Sequence, residues 1–244
     1  MSTKEITVIL TCQDQGRLLN PSIQSLRAAI RKAESGLGVA IEWIIAADTP
    51  SEQTEEYLLY NQPPRSRKLF TGGGCTAVAA NQAVKEAEGK FIALVCGDDL
   101  VSSNWLTQAY TESSGRTAGF VFHPGLVVAF GETRRLAIPP DQEDPDFSRD
   151  VLFSRNLWPS VSLAAREVFL AHPFSYEDRA RGFGHADWYW VCDTVAAGIV
   201  HKPLPGTLAC CRQSKTHACV APEPCRSVLM PPSKLFPVLK QCEV

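Results

Sequence analysis

Four short, β-branched apolar runs in the first hundred residues alternate with segments of helical or glycine-rich character, and that alternation admits few architectures. Residues 5–11 (Glu-Ile-Thr-Val-Ile-Leu-Thr) read as a strand. Leu19, Ile23, Leu26, Ile30 and Ala33 then recur at the three- and four-residue steps of one helix face. Residues 41–47 give a second strand, and 51–60 a helix whose first turn carries Glu52 and Glu55, or nearby Glu56, where the helix dipole favours negative charge. Residues 68–70 form a third strand that runs into Gly72-Gly73-Gly74. An alanine-rich helix from Thr76 to Ala87 follows, then a fourth apolar run ending at Cys96. Strands separated by helices pair in parallel through right-handed crossovers, so the expected class is α/β: a single Rossmann-like domain with a mostly parallel central sheet flanked by helices.

The fourth run ends in Gly97-Asp98-Asp99. In open α/β sheets ligands bind beyond the carboxyl ends of the strands, and two carboxylates there can hold a hard divalent cation against a phosphorylated substrate. Gly-Asp-Asp is equally ordinary turn chemistry, so by itself the pair reads either way.

Composition narrows the partners. The 244 residues, 45% of them hydrophobic, suffice for one sizeable core and require no second domain. With a formal net charge of -2 and no lysine- or arginine-rich stripe, the chain lacks the footprint of a nucleic-acid or anionic-membrane binder. No apolar stretch approaches the length of a transmembrane segment, and the N-terminus does not read as a signal peptide, so a cytoplasmic chain is expected. Of nine cysteines, Cys12, Cys75, Cys96 and Cys192 are scattered. Cys210, Cys211, Cys219, Cys225 and Cys242 are denser but lack the paired spacing of a zinc site, which favours free thiols.

The second half is less regular. Residues 119–130 are expected to form two strands about the turn His123-Pro124-Gly125, and 137–149, rich in proline and acids, an exposed loop that is a candidate lid. Residues 160–163 read as a strand, 164–171 as a helix, and 188–197 as a helix closed by Gly198. The proline-rich stretch 221–237 is expected to wrap the surface or to lead to something absent.

The order of these pieces, from about residue 5 to about residue 213, resembles the family 2 glycosyltransferases of the GT-A fold. Residues 8–19 (Val-Ile-Leu-Thr-Cys-Gln-Asp-Gln-Gly-Arg-Leu-Leu) look like the family's first strand and nucleotide-contacting turn, which nominates Thr11 and Asp14 for the uracil and ribose. Residues 42–48 are similar to its second strand, with Asp48 as the base-reading acid and Ala47 where a second acid is usual. Residues 72–83 resemble the glycine-rich loop and helix, which puts Gly73 among the donor contacts, with Ala80 in place of a customary arginine. Residues 88–100 resemble the Asp-x-Asp segment, with Cys96 at its first acid. Leu163 to Phe169 and Pro173-Phe174 resemble the acceptor-side strand and helix. Residues 184–190 resemble the Glu-Asp segment that carries the catalytic base, with Ala186 for the glutamate and Asp187 retained.

The resemblance implies a GT-A domain over 1–220, with a nucleotide-sugar half (1–100) and an acceptor half (101–220), and a tail over 221–244. It implies a UDP-linked donor, a glycan or other hydroxyl acceptor, and Mn2+ or Mg2+, with Asp99 toward the metal and Asp98 toward the ribose. Both aspartates count as metal ligands. Arg212 is nominated for the diphosphate and His217 for the metal, the latter against a surface role. Such a cation stabilises the departing diphosphate as a Lewis acid, and a carboxylate takes the proton of the attacking hydroxyl, a contribution of about 10²- to 10⁴-fold. Asp187 is the expected base, with inversion at the anomeric carbon; a cap for a helix starting at Trp188 is the structural alternative. A catalytically degenerate relative that binds nucleotide or glycan, and a nucleotidyltransferase, are the competing functions. Peripheral membrane association and oligomeric state stay open.

Overall fold

The computed structural model describes residues 4–116, 119–132, 134–176, 181–213 and 229–236. The first half alternates as its sequence pattern requires: β1 (Ile6–Cys12), α1 (Leu19–Leu37), β2 (Ile41–Asp48), α2 (Glu52–Tyr60), β3 (Ser66–Thr71), α3 (Thr76–Glu86) and β4 (Phe91–Cys96). β1 and β2 are buried almost throughout, because helices cover both faces of a parallel sheet. α1 buries Leu19, Ile23, Leu26, Ala29, Ile30 and Ala33 and ends at Gly38, whose φ of 67° is the left-handed conformation glycine adopts at least cost.

After β4 come β5 (Leu100–Val101), α4 (Trp105–Ser114), β6 (Phe120–Gly131), β7 (Arg135–Ala137), β8 (Ser162–Ala165), α5 (Arg166–Ala171), α6 (Ala186–Ala196) and β9 (Val200–Gln213). They join a nine-stranded sheet in the order β3-β2-β1-β4-β8-β6-β9-β5, with β7 paired to β6. The long ladders β1–β2, β1–β4, β2–β3 and β6–β9 are parallel, whereas β8 runs antiparallel to both β4 and β6. This reversal matters for the site, since it brings the start of β8 to the carboxyl edge of β4, where Leu94 pairs with Ser162.

Two apolar clusters lie on the two faces of the sheet. One packs α1 and α4 onto Val8, Leu10, Trp43 and Ile45; the other packs α3, α5 and α6 onto Ile9, Ile44, Ile92 and Leu94. Alternate residues of the same strands supply the two faces, as the period of a strand dictates.

Several expectations for the second half are corrected. Residues 120–131 form one strand rather than two. Pro124 has no N–H for the ladder, and the register against β9 shifts between Pro124 and Leu126 instead of the chain reversing. A Cβ on Gly125 would lie 2.3 Å from the Leu204 carbonyl oxygen, so only glycine permits this approach. The strand at 160–163 is displaced to Ser162–Ala165, and α6 begins at Ala186, two residues before Trp188. The lid reading of 137–149 meets firm attachments: the Trp158 indole donates to the Pro140 carbonyl, Gln142 exchanges two bonds with the His201 backbone, and Lys202 pairs with Asp141 and Glu143. Within the proline-rich stretch, Leu229 bridges to Phe183 and bonds Gly182 and Gly184, while Phe236 stacks on Phe153. No helix among the described residues is long and apolar enough to cross a membrane.

Candidate functional site

The parallel strands β1, β2, β3 and β4 end at one edge, where Thr11 lies level with Ala46 and Cys96. Thr11 is buried there and Asp14 is exposed in the turn that follows. The nominated nucleotide residues of the first half therefore share one rim of the sheet.

Asp48 is wholly buried, and its carboxylate is occupied by protein donors. Oδ1 accepts from the Thr71 hydroxyl at 2.6 Å and from the Gly73 amide at 2.9 Å; Oδ2 accepts from the Thr49 hydroxyl at 3.4 Å. Asp48 thus fixes the glycine-rich turn to the end of β2. Gly73 also needs to be glycine, because a Cβ would lie 2.5 Å from the Val78 side chain in the first turn of α3. Replacing Asp48 by alanine leaves two strong donors unpaired in the interior and is expected to cost on the order of 2–4 kcal/mol. Urea denaturation of Asp48→Ala checks this; the milder loss expected of Asp48→Asn separates charge from shape.

Asp98 and Asp99 are both nearly buried, in the turn between β4 and β5. Asp99 Oδ1 accepts from the Arg212 amide at 3.1 Å, and the Cys211 thiol is a further donor to this carboxylate. Burial first, then the neighbouring charge of Asp98, pushes the Asp99 carboxyl up to about 7, against the stabilising bonds from Arg212 and Cys211. β9 thus delivers Arg212 to the aspartate pair across 113 residues of sequence. The Arg212 guanidinium lies over the Phe130 ring at 4.6 Å, and its Nε has no hydrogen-bond partner among the described residues. It is a cation held beside the carboxylates with a donor to spare.

Asp187 stands in the first turn of α6, so it is not the helix cap. The capping position is His185, whose φ of 62° is left-handed and whose side chain makes no capping bond. Asp187 Oδ2 instead accepts from Asn156 Nδ2 at 3.4 Å and Ser160 Oγ at 3.3 Å, both from the segment leading into β8. With Asn156, Ser160, Phe174 and Trp190 it lines a small recess. The antiparallel register of β8 places Ser160 at the carboxyl edge of β4, and Ala186 packs on Cys75 and Ala77 beside the glycine-rich turn. Asp187 therefore faces the same rim as the aspartate pair, from the second half of the chain.

No protein-family profile and no curated protein matches this sequence. Solved structures do. TarS from S. aureus (residues 1–349), in a crystal with UDP-GlcNAc, superposes with a TM-score of 0.65 at 13% identity, over 87% of this chain and 60% of that one. Its complex with UDP gives 0.63 at 14%, over 86% and 61%. The mannosyltransferase PcManGT from Pyrobaculum calidifontis, crystallised with GDP-Man and Mn2+, gives 0.60 at 14%, over 87% and 58%. The chain has the GT-A fold. It spans about three fifths of the length of these solved chains.

In this GT-A sheet the residues suited to a divalent cation are Asp98 and Asp99. Both are oxygen donors of the kind Mg2+ and Mn2+ prefer, and a like-charged pair removed from water is relieved by a cation. Among the described residues no group of three metal-ligating side chains converges, so ligand phosphates and water would have to complete the sphere. Cys96, at the end of β4, is no substitute for a hard oxygen ligand. His217 lies outside the described residues.

Two histidines form a feature that sequence spacing did not reveal. His123 Nδ1 bonds the Val161 carbonyl at 3.0 Å, His123 Nε2 meets His201 Nδ1 at 2.9 Å, and His201 Nε2 meets Thr194 Oγ1 at 2.9 Å. A carbonyl only accepts, so with both rings neutral His123 carries Nδ1–H and His201 carries Nδ1–H, while the Thr194 hydroxyl shares its one proton between His201 Nε2 and the Trp190 and Val191 carbonyls at 2.7 and 3.0 Å. Trp158 stacks against both rings. The chain ties β6 and β9 to Val161, next to Ser160, and to α6, seven residues beyond Asp187. Its only sequence trace is two lone histidines 78 positions apart. Of the aromatic residues beside Asp187, Trp190 is core, clustered with Phe169 and Phe174, and its indole donates to the His172 carbonyl.

Proposed function

We propose that this chain is a nucleotide-sugar glycosyltransferase of family 2 that moves a sugar, with inversion, from a UDP-linked donor to a hydroxyl of a glycan or other acceptor. The observation that carries this reading is the meeting, at one edge of a GT-A sheet, of a buried aspartate pair, an arginine brought beside it by β9, and a carboxylate from α6. The solved complexes of proteins with this fold, with UDP-GlcNAc and with GDP-Man and Mn2+, supply the donor class.

On this reading Thr11 and Asp14 meet the nucleoside and the Gly73 turn, held by Asp48, closes over the donor. Asp98 and Asp99 would hold the divalent cation, whose chemistry when bound is to stabilise negative charge on the leaving diphosphate. Arg212 adds a fixed positive charge next to Asp99, aimed at the same developing charge. Asp187 takes the proton of the acceptor hydroxyl, kept in place by Asn156 and Ser160. A single displacement with the base opposite the leaving group inverts the anomeric carbon.

Calorimetry of UDP binding tests the donor site. With Mn2+ the parent chain is expected to bind UDP at least tenfold more tightly than without it, and Asp99→Ala to lose that gain. Binding that ignores the cation, or that survives intact in Asp99→Ala, removes the assignment. A degenerate binder is the second reading, favoured by Ala186, which packs on Cys75 and Ala77 where the resemblance puts an acid. Transfer from a panel of nucleotide sugars separates it, since a binder saturates without turnover.

A further inference from the structure

A second basic feature lies away from this edge. Arg27, Ile30 and Arg31 of α1, Trp43 of β2, and Pro64 and Arg65 before β3 line a cavity of about 160 Å³. Trp43 is near the start of β2, level with Val8 and Ser66, so it is about 17 Å along the strand from Asp48 and the donor rim.

Arg27 and Arg31 are one helical turn apart, an arrangement of like charges that disfavours the helix unless an anion lies between them. Neither makes an ion pair or hydrogen bond among the described residues. Arg65 pairs with Glu34 at 2.7 Å, so the cavity mouth carries three guanidinium groups against one carboxylate. The Arg65 backbone is left-handed at φ 64°, a conformation that costs a non-glycine residue energy and that sets Arg65 at this mouth. Trp43 is 6% exposed and forms part of the cavity wall, so its indole reports on what the arginines hold.

We propose that this cavity binds a phosphate group, presented by a soluble phosphate ester or a lipid headgroup, on Arg27, Arg31 and Arg65, beside Trp43. Guanidinium donors from two separate segments can grip several oxygens of a tetrahedral oxyanion, and two uncompensated guanidinium charges match a dianion. The space admits one such group. The site is independent of the donor edge and does not rest on the proposed transferase activity.

The test uses the full chain, without divalent cation, so that the donor edge does not contribute. Inorganic phosphate is titrated at low salt and followed by calorimetry and tryptophan emission. Saturable binding is expected, weakened at least tenfold in Arg27→Gln/Arg31→Gln and partly kept in Arg27→Lys/Arg31→Lys. Trp43→Phe is expected to lose the emission change. Sedimentation with phosphatidic acid vesicles, against phosphatidylcholine alone, identifies the source: arginine-dependent pelleting only on phosphatidic acid assigns the headgroup, and binding of free phosphate without pelleting assigns a soluble ester. Equal phosphate affinity in the parent and the glutamine variant, with both melting alike, overturns the proposal. So does the absence of both saturable phosphate binding and arginine-dependent pelleting. If the glutamine variant fails to fold, the lysine variant and Arg65→Gln decide: wild-type affinity in both overturns the site.

Discussion

Asp187→Ala is expected to lower the turnover of sugar transfer by about 10²- to 10⁴-fold while leaving UDP affinity unchanged. The reasoning is geometric. Asp187 lies in the first turn of α6, turned toward the segment leading into β8. Asn156 and Ser160 reach Oδ2 alone, which leaves Oδ1 for an acceptor hydroxyl. The recess it lines is small, so the acceptor is approached at its mouth rather than engulfed. A group that only held α6 in place would behave differently on substitution. Asp187→Asn keeps the bonds to Asn156 and Ser160 but cannot take a proton, so a stable Asp187→Asn chain that binds UDP and does not turn over is the expected signature of a base. Turnover within a factor of a few of the parent in both variants would sink the assignment.

Acidification from pH 6.5 to 4 is expected to cost the buried histidine pair on the order of 3 kcal/mol of stability at His123 alone. Burial lowers the His123 imidazole to about 4, partly offset by the Val161 and Pro159 carbonyls; burial and the adjacent His123 lower His201 well below its ordinary value. The unfolded chain takes up a proton near pH 6.5 that native His123 refuses until about pH 4. Stability from His123 is therefore complete above pH 6.5 and drains away as the pH falls toward 4. Asp99 acts with the opposite sign: its folded carboxyl is raised from 3.8 to about 7, so its contribution is complete at low pH and is lost as the pH rises through that window. The two slopes oppose each other, and a melting curve of the parent alone would understate both. Urea midpoints measured from pH 4 to 7 in the parent and in His123→Gln isolate the histidine part. The parent is expected to gain more stability on raising the pH than the variant does; parallel curves would show that the pair does not titrate as its burial requires.

Much of the fold was legible because its signals are local. The alternation of residues 5–96 specified strand, helix and parallel pairing, since a strand buried on both faces must be apolar throughout and a helix must show its three- and four-residue period. Pro124 was read as a turn between two strands because proline and glycine together usually mark one. The β6–β9 ladder outweighed that preference, and the chain bulges instead of turning. The start of α6 was read two residues late, which made Asp187 look like a cap. His185 takes that place in a left-handed conformation that no residue type at 185 announces.

The positions of Asp98, Asp99 and Gly73 in the turns after strands, and hence the kind of site to seek, were set by the amino-acid sequence itself, because carboxylates and glycines after buried strands are intelligible from their immediate neighbours. What only the tertiary structure decided is who meets whom. The Arg212 amide reaches Asp99 because β9 returns beside β5, Ser160 reaches Asp187 because β8 runs against β4, His123 and His201 form one hydrogen-bonded chain inside the β6–β9 ladder, and three arginines gather around Trp43 from elements up to 38 residues apart. Each of these contacts closes a loop whose two ends carry no mutual signal, since the energy that pairs them resides in the packing of the sheet between.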